Sequence, residues 1–235
     1  MTQPKDLSPL KQLEAAGLAM IANESPYTGI LADWQIDTLA KAGMLTPYHG
    51  RKVTHHDGEK VLSYGLEPFG YTLTLAPIYK RPMHTGKIVF VGMRQVWEET
   101  GRTAYLTEEA EYQREQTGWI EEKPTTKHGK QWIIIQPNNF ILASSVERIA
   151  LPRNVQGQCL TKSTIAREGG FANITWLDAG WAGHLTIEIA NLGSNPLALP
   201  VGEGVCQIVF HQGLQPRNAY AGSYQNQGHL PQEAK

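Results

Sequence analysis

The chain has 235 residues, with 21 Lys and Arg against 22 Asp and Glu and a pI near 6.7. That length suits one all-β domain with additions, or two small domains, and can bury a sizeable core without staples. The balanced charge argues against a nucleic-acid coat or a polybasic membrane arm, while an anionic small ligand needs only a few local cations. Cys159 and Cys206 are far apart in sequence with no C-x-x-C spacing, which points to two buried reduced thiols and not to a disulfide framework or a zinc site.

The N-terminus, MTQPKDLSPLKQ, has no apolar signal core, and no run approaches ~18 apolar residues, so a soluble, cytosolic protein is expected. Residues 7–23 read as a helix: Ser8 can cap, Pro9 suits the first turn, and Leu10, Leu13, Ala16, Leu18 and Ile21 give a loose apolar face. Residues 35–44 read as a second short helix, with Gly43 near its C-terminal end. Residues 67–79 turn to β signals, with aromatics, Thr and alternation in FGYTLTLAPIY. Residues 98–130 are polar and aperiodic apart from a helical pattern around 107–115, and read as an insertion or lid.

From Trp132 onward strands follow one another: 132–136, 140–146, 155–161, 184–191, 196–201 and 205–211. Turn residues such as Pro137-Asn138-Asn139 and Gly202-Glu203-Gly204 punctuate them. Short strands at this spacing imply a sandwich or barrel and not alternating βαβ units. The stretch after Gln212, rich in Gln, Asn, Gly and Pro, reads as an extended or mobile tail.

Three constellations carry possible chemistry. Thr161-Lys162-Ser163-Thr164-Ile165-Ala166-Arg167 packs two cations and three hydroxyls into seven residues, directly after a β-run. Lys and Arg supply charge for phosphate, and hydroxyls and turn N–H groups fill the remaining lone pairs. It is not a P-loop, because Gly157 is one place out of register and Thr161 stands where Gly is required before Lys. An ordinary solvated turn has the same composition. Asn173-Ile174-Thr175-Trp176-Leu177-Asp178-Ala179-Gly180-Trp181-Ala182-Gly183 sets an acid beside two glycines, which suits a tight bend where backbone approaches a ligand, or a plain hairpin turn with Asp178 bonding its own backbone. In His184-Leu185-Thr186-Ile187-Glu188-Ile189, alternation puts Thr186 and Glu188 on one face and the apolar residues on the other. Glu188 is then either a polar outward residue or, facing a cleft, a carboxyl suited to proton shuttling. Periodicity does not separate the two.

The ordered run R-N-V-x-G-x-C-x-x-K-S-T-x-A-R, N-x-T, W-x-G-x-x-T-x-E-I-x-N and E-G-x-x-Q-x-x-F resembles the deoxycytidine triphosphate deaminase family. Residues 30–36, Ser63-Tyr64-Gly65-Leu66 with Phe69-Gly70-Tyr71, and residues 140–152 resemble earlier family stretches in the same order. The resemblance covers roughly residues 29–80 and 130–228. It implies a mainly β fold, the distorted dUTPase-like β-barrel (β-clip), with short N-terminal helices and the inserted segment. Residues 1–28 would form an N-terminal helical extension, 29–228 the β domain with its insertion at 98–130, and 229–235 a tail.

The family assembles as a homotrimer with active sites between subunits. By the same resemblance, Lys162, Ser163, Thr164 and Arg167 bind the triphosphate, with Ser163 and Arg167 also near the reacting base. Asn173, Ile174 and Thr175 meet the pyrimidine through their backbone, Asp178 sits by the deoxyribose, and Thr186 belongs to the same nucleotide site. Glu188 is the general base and acid, while Gln207, Tyr220 and Gln227 close over the nucleotide. Magnesium comes with the triphosphate, and no protein-bound metal is implied. The sequence agrees in one respect: it lacks the H-x-E and P-C-x-x-C of zinc deaminases.

The expected reaction is hydrolysis of dCTP to dUTP and ammonia. The alternatives are a bifunctional deaminase and pyrophosphatase releasing dUMP, since Asp178-Ala179-Gly180-Trp181 resembles a dUTPase element, and a nucleotide-binding regulatory relative. Three departures stand out: Thr161 before Lys162, Thr72 where an acid usually follows Tyr71, and the length of residues 98–130.

Overall fold

The computed structural model describes residues 29–83, 95–97, 103–105, 118–172, 175–218 and 220–233. The helices expected at 7–23 and 107–115 lie outside them. The chain enters on a short strand, β1 (Gly29–Ile30), and a helix, α1 (Asp33–Leu39), which runs into a π-helical turn, Ala40–Met44. The helix begins two residues earlier than periodicity suggested. Gln35 closes its first turn by accepting from the Ala32 N–H at 3.0 Å, and Gly43 ends it at φ 106°.

Two strands follow this turn and lead into a hairpin: β2 (Leu45–Thr46), then β3 (Val53–His56) and β4 (Glu59–Glu67). The 13-residue β5 (Gly70–Pro82) is the spine of the fold. Its first half pairs with β4 and the C-terminal strand, and its second half with two later strands, so it passes from one part of the sheet to the other. A two-stranded ribbon, β6 (Gln95–Trp97) and β7 (Thr103–Tyr105), precedes β8 (Trp119–Glu122), which pairs with β5.

Next come β9 (Thr125–Lys127), β10 (Lys130–Ile135), β11 (Asn139–Ala150) and β12 (Val155–Thr161). A five-residue helix, α2 (Ser163–Arg167), separates β12 from β13 (Gly170–Ala172) and β14 (Trp176–Leu177). The chain closes with β15 (Ala182–Asn191), β16 (Leu197–Pro200) and β17 (Gly204–Gln212). Every strand expected from Trp132 onward is present within a few residues.

The main sheet is antiparallel, ordered β13-β15-β11-β5-β17-β12-β14, and it curls into a half-barrel. The fold is mainly β, as expected. Its core joins both halves of the sheet with α1: Tyr71, Leu73, Leu75, Ile149, Ile187, Ile208 and Phe210 are fully buried with Ile36 and Leu39. At ~25 cal/mol per Å2 of buried apolar surface, side chains of this size contribute roughly 1.5–3 kcal/mol each. Cys159 and Cys206, far apart in sequence, sit on adjacent strands, flanking the Leu160–Gln207 pair. Both are buried free thiols, and a hydrogen bond with Cys159 together with burial pushes the Cys206 thiol up.

The tail is not loose across its described part. Residues 220–233 fold back along β15. Tyr220 N–H donates to the Ala179 carbonyl, Asn226 N–H to that of Ala182, and His184 N–H to that of Gln227, at 3.2, 2.7 and 3.0 Å. Trp181 Nε1 donates to the Tyr224 carbonyl at 2.8 Å. Gly183, at φ 152°, is the close approach: a Cβ there would lie 2.7 Å from the Gln227 nitrogen. The low apolar content hid this docking, because the tail is held by backbone and amide hydrogen bonds.

Candidate active site

A cavity of about 480 Å3 opens on the outer face of β15 and β11 beneath the folded-back tail. Glu188 lines it. On β15, Leu185, Ile187 and Ile189 are buried, as the apolar set should be, and Glu188 is exposed. Thr186 shares the Glu188 face but is buried, because the tail covers it: Gln232 N–H donates to Thr186 Oγ1 at 2.9 Å. Glu188 is thus both solvent-exposed and part of a cavity wall, and the far side of that cavity is formed by a segment more than thirty residues later.

Thr175, Asp178, Thr186, Tyr220 and Gln227 line the same cavity, so six of the residues implied by resemblance converge with Glu188 among them. Asp178 is exposed at the head of a tight turn, where Trp181 N–H donates to the Asp178 carbonyl at 3.0 Å and Gly180 adopts φ 84°. Asn173 and Ile174 lie outside the described residues.

The cationic segment is elsewhere in the single chain. Ser163, Thr164 and Arg167 are exposed on α2, and none of them lines the cavity. Lys162 turns inward toward β4, where its Nζ donates to Ser63 Oγ at 2.9 Å. Burial holds the Lys162 ammonium below its ordinary pKa; neighbouring Glu67 opposes that shift and Lys52 adds to it. Gln207 sits on β17 opposite Leu160 and Thr72, also away from the cavity.

Two departures from the family pattern have local explanations. Thr161 Oγ1 donates to the Ala172 carbonyl at 2.5 Å and accepts from Ala172 N–H at 3.0 Å, tying β12 to the start of the stretch that leads to Thr175. Thr72 is buried, and its hydroxyl donates to Glu67 Oε1 at 3.4 Å. An acid at that position would set two carboxylates together beside Lys52, which already pairs with Glu67 at 2.9 Å.

Sequence reasoning missed Trp119, Phe140, Leu142, Tyr224, Gln232 and Glu233, all of which line the cavity. Trp119 and Phe140 pack edge to face with centroids 5.4 Å apart. The pairing of β11 with β15 brings Phe140 beside Glu188, and the pairings of β5 with β11 and of β8 with β5 bring Trp119 to Phe140; no local pattern encodes that register. Among the described residues no group of three or more His, Cys, Asp or Glu is placed to hold a metal ion, and no helix is long and apolar enough to cross a membrane.

Residues 98–213 match the model of the dCTP deaminase-like family. A dCTP deaminase of Acinetobacter baylyi is 33% identical over 180 residues, 76% of this chain and 82% of that protein. The chain belongs to the dCTP deaminase family. A second dCTP deaminase, from Acidobacterium capsulatum, is 32% identical over 202 residues, 84% of this chain and 94% of that protein. Among solved structures, the 2'-deoxycytidine 5'-triphosphate deaminase of Agrobacterium tumefaciens superposes with a TM-score of 0.49 at 18% identity, over 79% of this chain and 48% of that one.

Proposed function

We propose that this family member hydrolyses the 4-amino group of dCTP, giving dUTP and ammonia, with Glu188 as the proton-transferring group. The observation that carries the reading is the convergence of Glu188 with Thr175, Asp178, Thr186, Tyr220 and Gln227 on one cavity. In the reaction, water adds to C4 of the cytosine ring. The Glu188 carboxylate takes a water proton as the C4–O bond forms and the C4=N3 π pair moves to N3, which receives that proton; the remaining hydroxyl proton then passes through Glu188 to the amine. Ammonia leaves with the C4–N bond pair, and a C4 carbonyl remains. Asp178 supports the deoxyribose, and Thr175 meets the base through its backbone. Magnesium enters with the triphosphate as part of the substrate.

Lys162, Ser163, Thr164 and Arg167 complete the site from a second copy of the chain, in a homotrimer. Support comes from their position: they are exposed or turned away from the cavity of their own chain, and phosphate needs several charge-assisted donors. Ser163 of that copy holds the water, and Arg167 orients the carboxylate.

A second reading is favoured by the presence of Asp178 in the same cavity as Glu188. After deamination, a water activated near Asp178 would cleave the bound dUTP between its α- and β-phosphates and release dUMP and pyrophosphate. Incubating the protein with dCTP and magnesium and resolving the products separates the two: dUTP with ammonia supports the deaminase, dUMP with pyrophosphate the bifunctional enzyme. Glu188→Gln is expected to lower kcat by ~10²–10⁴-fold, the usual share of positioned acid–base catalysis, while nucleotide binding persists. Retained turnover in that variant would refute the role of Glu188.

A further inference from the structure

The strand register places an aromatic pair beside Glu188. On β11 and β15, Leu142 stands opposite Glu188 and Phe140 opposite Ala190. Cross-strand partners share a face and side chains alternate, so Glu188, Leu142 and Phe140 project to one side, with Phe140 the diagonal neighbour of Glu188 at about 7–8 Å between backbones. Leu142 stands opposite Lys80 on β5, and Pro82, two residues on, stands opposite Trp119 on β8. Trp119 then meets the Phe140 ring edge to face. Both rings line the Glu188 cavity, and Phe140 remains 42% exposed there.

Cytosine has one apolar edge, C5–H and C6–H, and C5 is bonded to the reacting C4. A site that presents C4 to Glu188 turns one of its two ring neighbours, N3 or C5, toward whatever adjoins Glu188; here that is an aromatic and aliphatic surface, which suits the apolar C5 side and not the N3 lone pair. We propose that Phe140 is the wall against which the C5–C6 edge of the pyrimidine lies, making it a specificity residue for the base, with Trp119 as the positioning residue that fixes its ring. This rests on the reading of Glu188 as the group that acts at C4.

The test compares dCTP with 5-methyl-dCTP, because a methyl at C5 would press on this wall. In Phe140→Ala, the ratio of kcat/KM for 5-methyl-dCTP over dCTP is expected to rise about tenfold, the range for one methyl-sized change in an apolar pocket. Trp119→Phe is expected to move the ratio in the same direction by less. A ratio unchanged in Phe140→Ala while both substrates lose activity together would make the pair merely structural and overturn the proposal.

The same two nucleotides are titrated against Glu188→Gln with and without Phe140→Ala, following the ratio of their Kd values, so the wall is read without turnover. A shifted Kd ratio with no ammonia released by the unsubstituted protein would keep the wall and refute the deaminase reading. An unshifted Kd ratio with normal ammonia release would do the reverse.

Discussion

The wall of β15 and β11 around Glu188 and the segment Lys162–Arg167 carry motifs of equal density, yet the fold treats them differently. Glu188 lies on a strand flanked by two others, under a tail fixed by a run of backbone hydrogen bonds, and its cavity is assembled from five separate stretches of one chain. Ser163, Thr164 and Arg167 stand exposed on a five-residue helix, away from that cavity. On the proposed reading, a single chain would offer base and sugar the Glu188 cavity while its cationic segment faces another way. If both serve one nucleotide, the two halves would have to meet between copies, as proposed above.

That comparison can be broken outright. Arg167→Ala and Glu188→Gln are each expected to be inactive alone. If the two halves meet between chains, mixing the variants under conditions that exchange subunits rebuilds sites with both residues intact, and about a quarter of wild-type activity returns in a randomly mixed trimer. If both residues serve the same chain, no mixed assembly contains an intact site and activity stays at zero.

The fold was more legible than the site, for physical reasons. Strands such as Val155–Thr161 announce themselves through β-branched residues and turn punctuation, so their bounds were readable. The hairpin of β3 and β4 was not anticipated: Val53–His56 carries two histidines and is mostly exposed, so it shows no apolar alternation. Glu188 was recognisable by resemblance, but its orientation was not, since Thr186 on the same face is buried by the distant Gln232. Phe140 and Trp119 depend on a register set across three strand pairings, which lies beyond any local pattern.

The rigidity of the Glu188 wall can be sharpened through the carboxyl behind it. Glu147 lies in the β11 bulge and is fully buried, accepting from Thr74 N–H and Thr74 Oγ1, each at 3.0 Å. Ser145 Oγ donates to the Glu147 carbonyl at 2.6 Å and accepts from Leu185 N–H at 2.9 Å, linking the bulge to β15. Burial raises the Glu147 carboxyl from its ordinary 4.5 to about 7, against the lowering effect of its hydrogen bonds. Below pH 4.5 both folded and unfolded forms are protonated, and the buried site costs nothing electrostatically. As pH rises to about 7 only the unfolded form gains by ionising, so stability falls and the penalty is complete above 7. The loss is on the order of 3 kcal/mol, or roughly 5–10 °C in melting temperature. Glu147→Gln keeps an acceptor for Thr74 and is expected to flatten that slope; a melting profile with the same slope would remove Glu147 as its source.

The smallest expected effect concerns the tail over the wall. Lys80, on β5 opposite Leu142, pairs with Glu233 at 2.8 Å, and both side chains are partly open to solvent. Such a pair contributes about 0.2–1 kcal/mol. Lys80→Ala should lower the melting temperature by no more than about 4 °C. It loosens the end of a strap whose other anchors, Gln227 to His184 and Gln232 to Thr186, remain. If the strap closes the Glu188 cavity on the nucleotide, KM for dCTP rises by up to about fivefold with kcat nearly constant, and added salt shrinks the difference between the two proteins. If the Glu233 end of the tail only decorates the sheet, neither constant moves, and closure of the cavity must be sought at the other end of the tail, around Tyr220 and Tyr224.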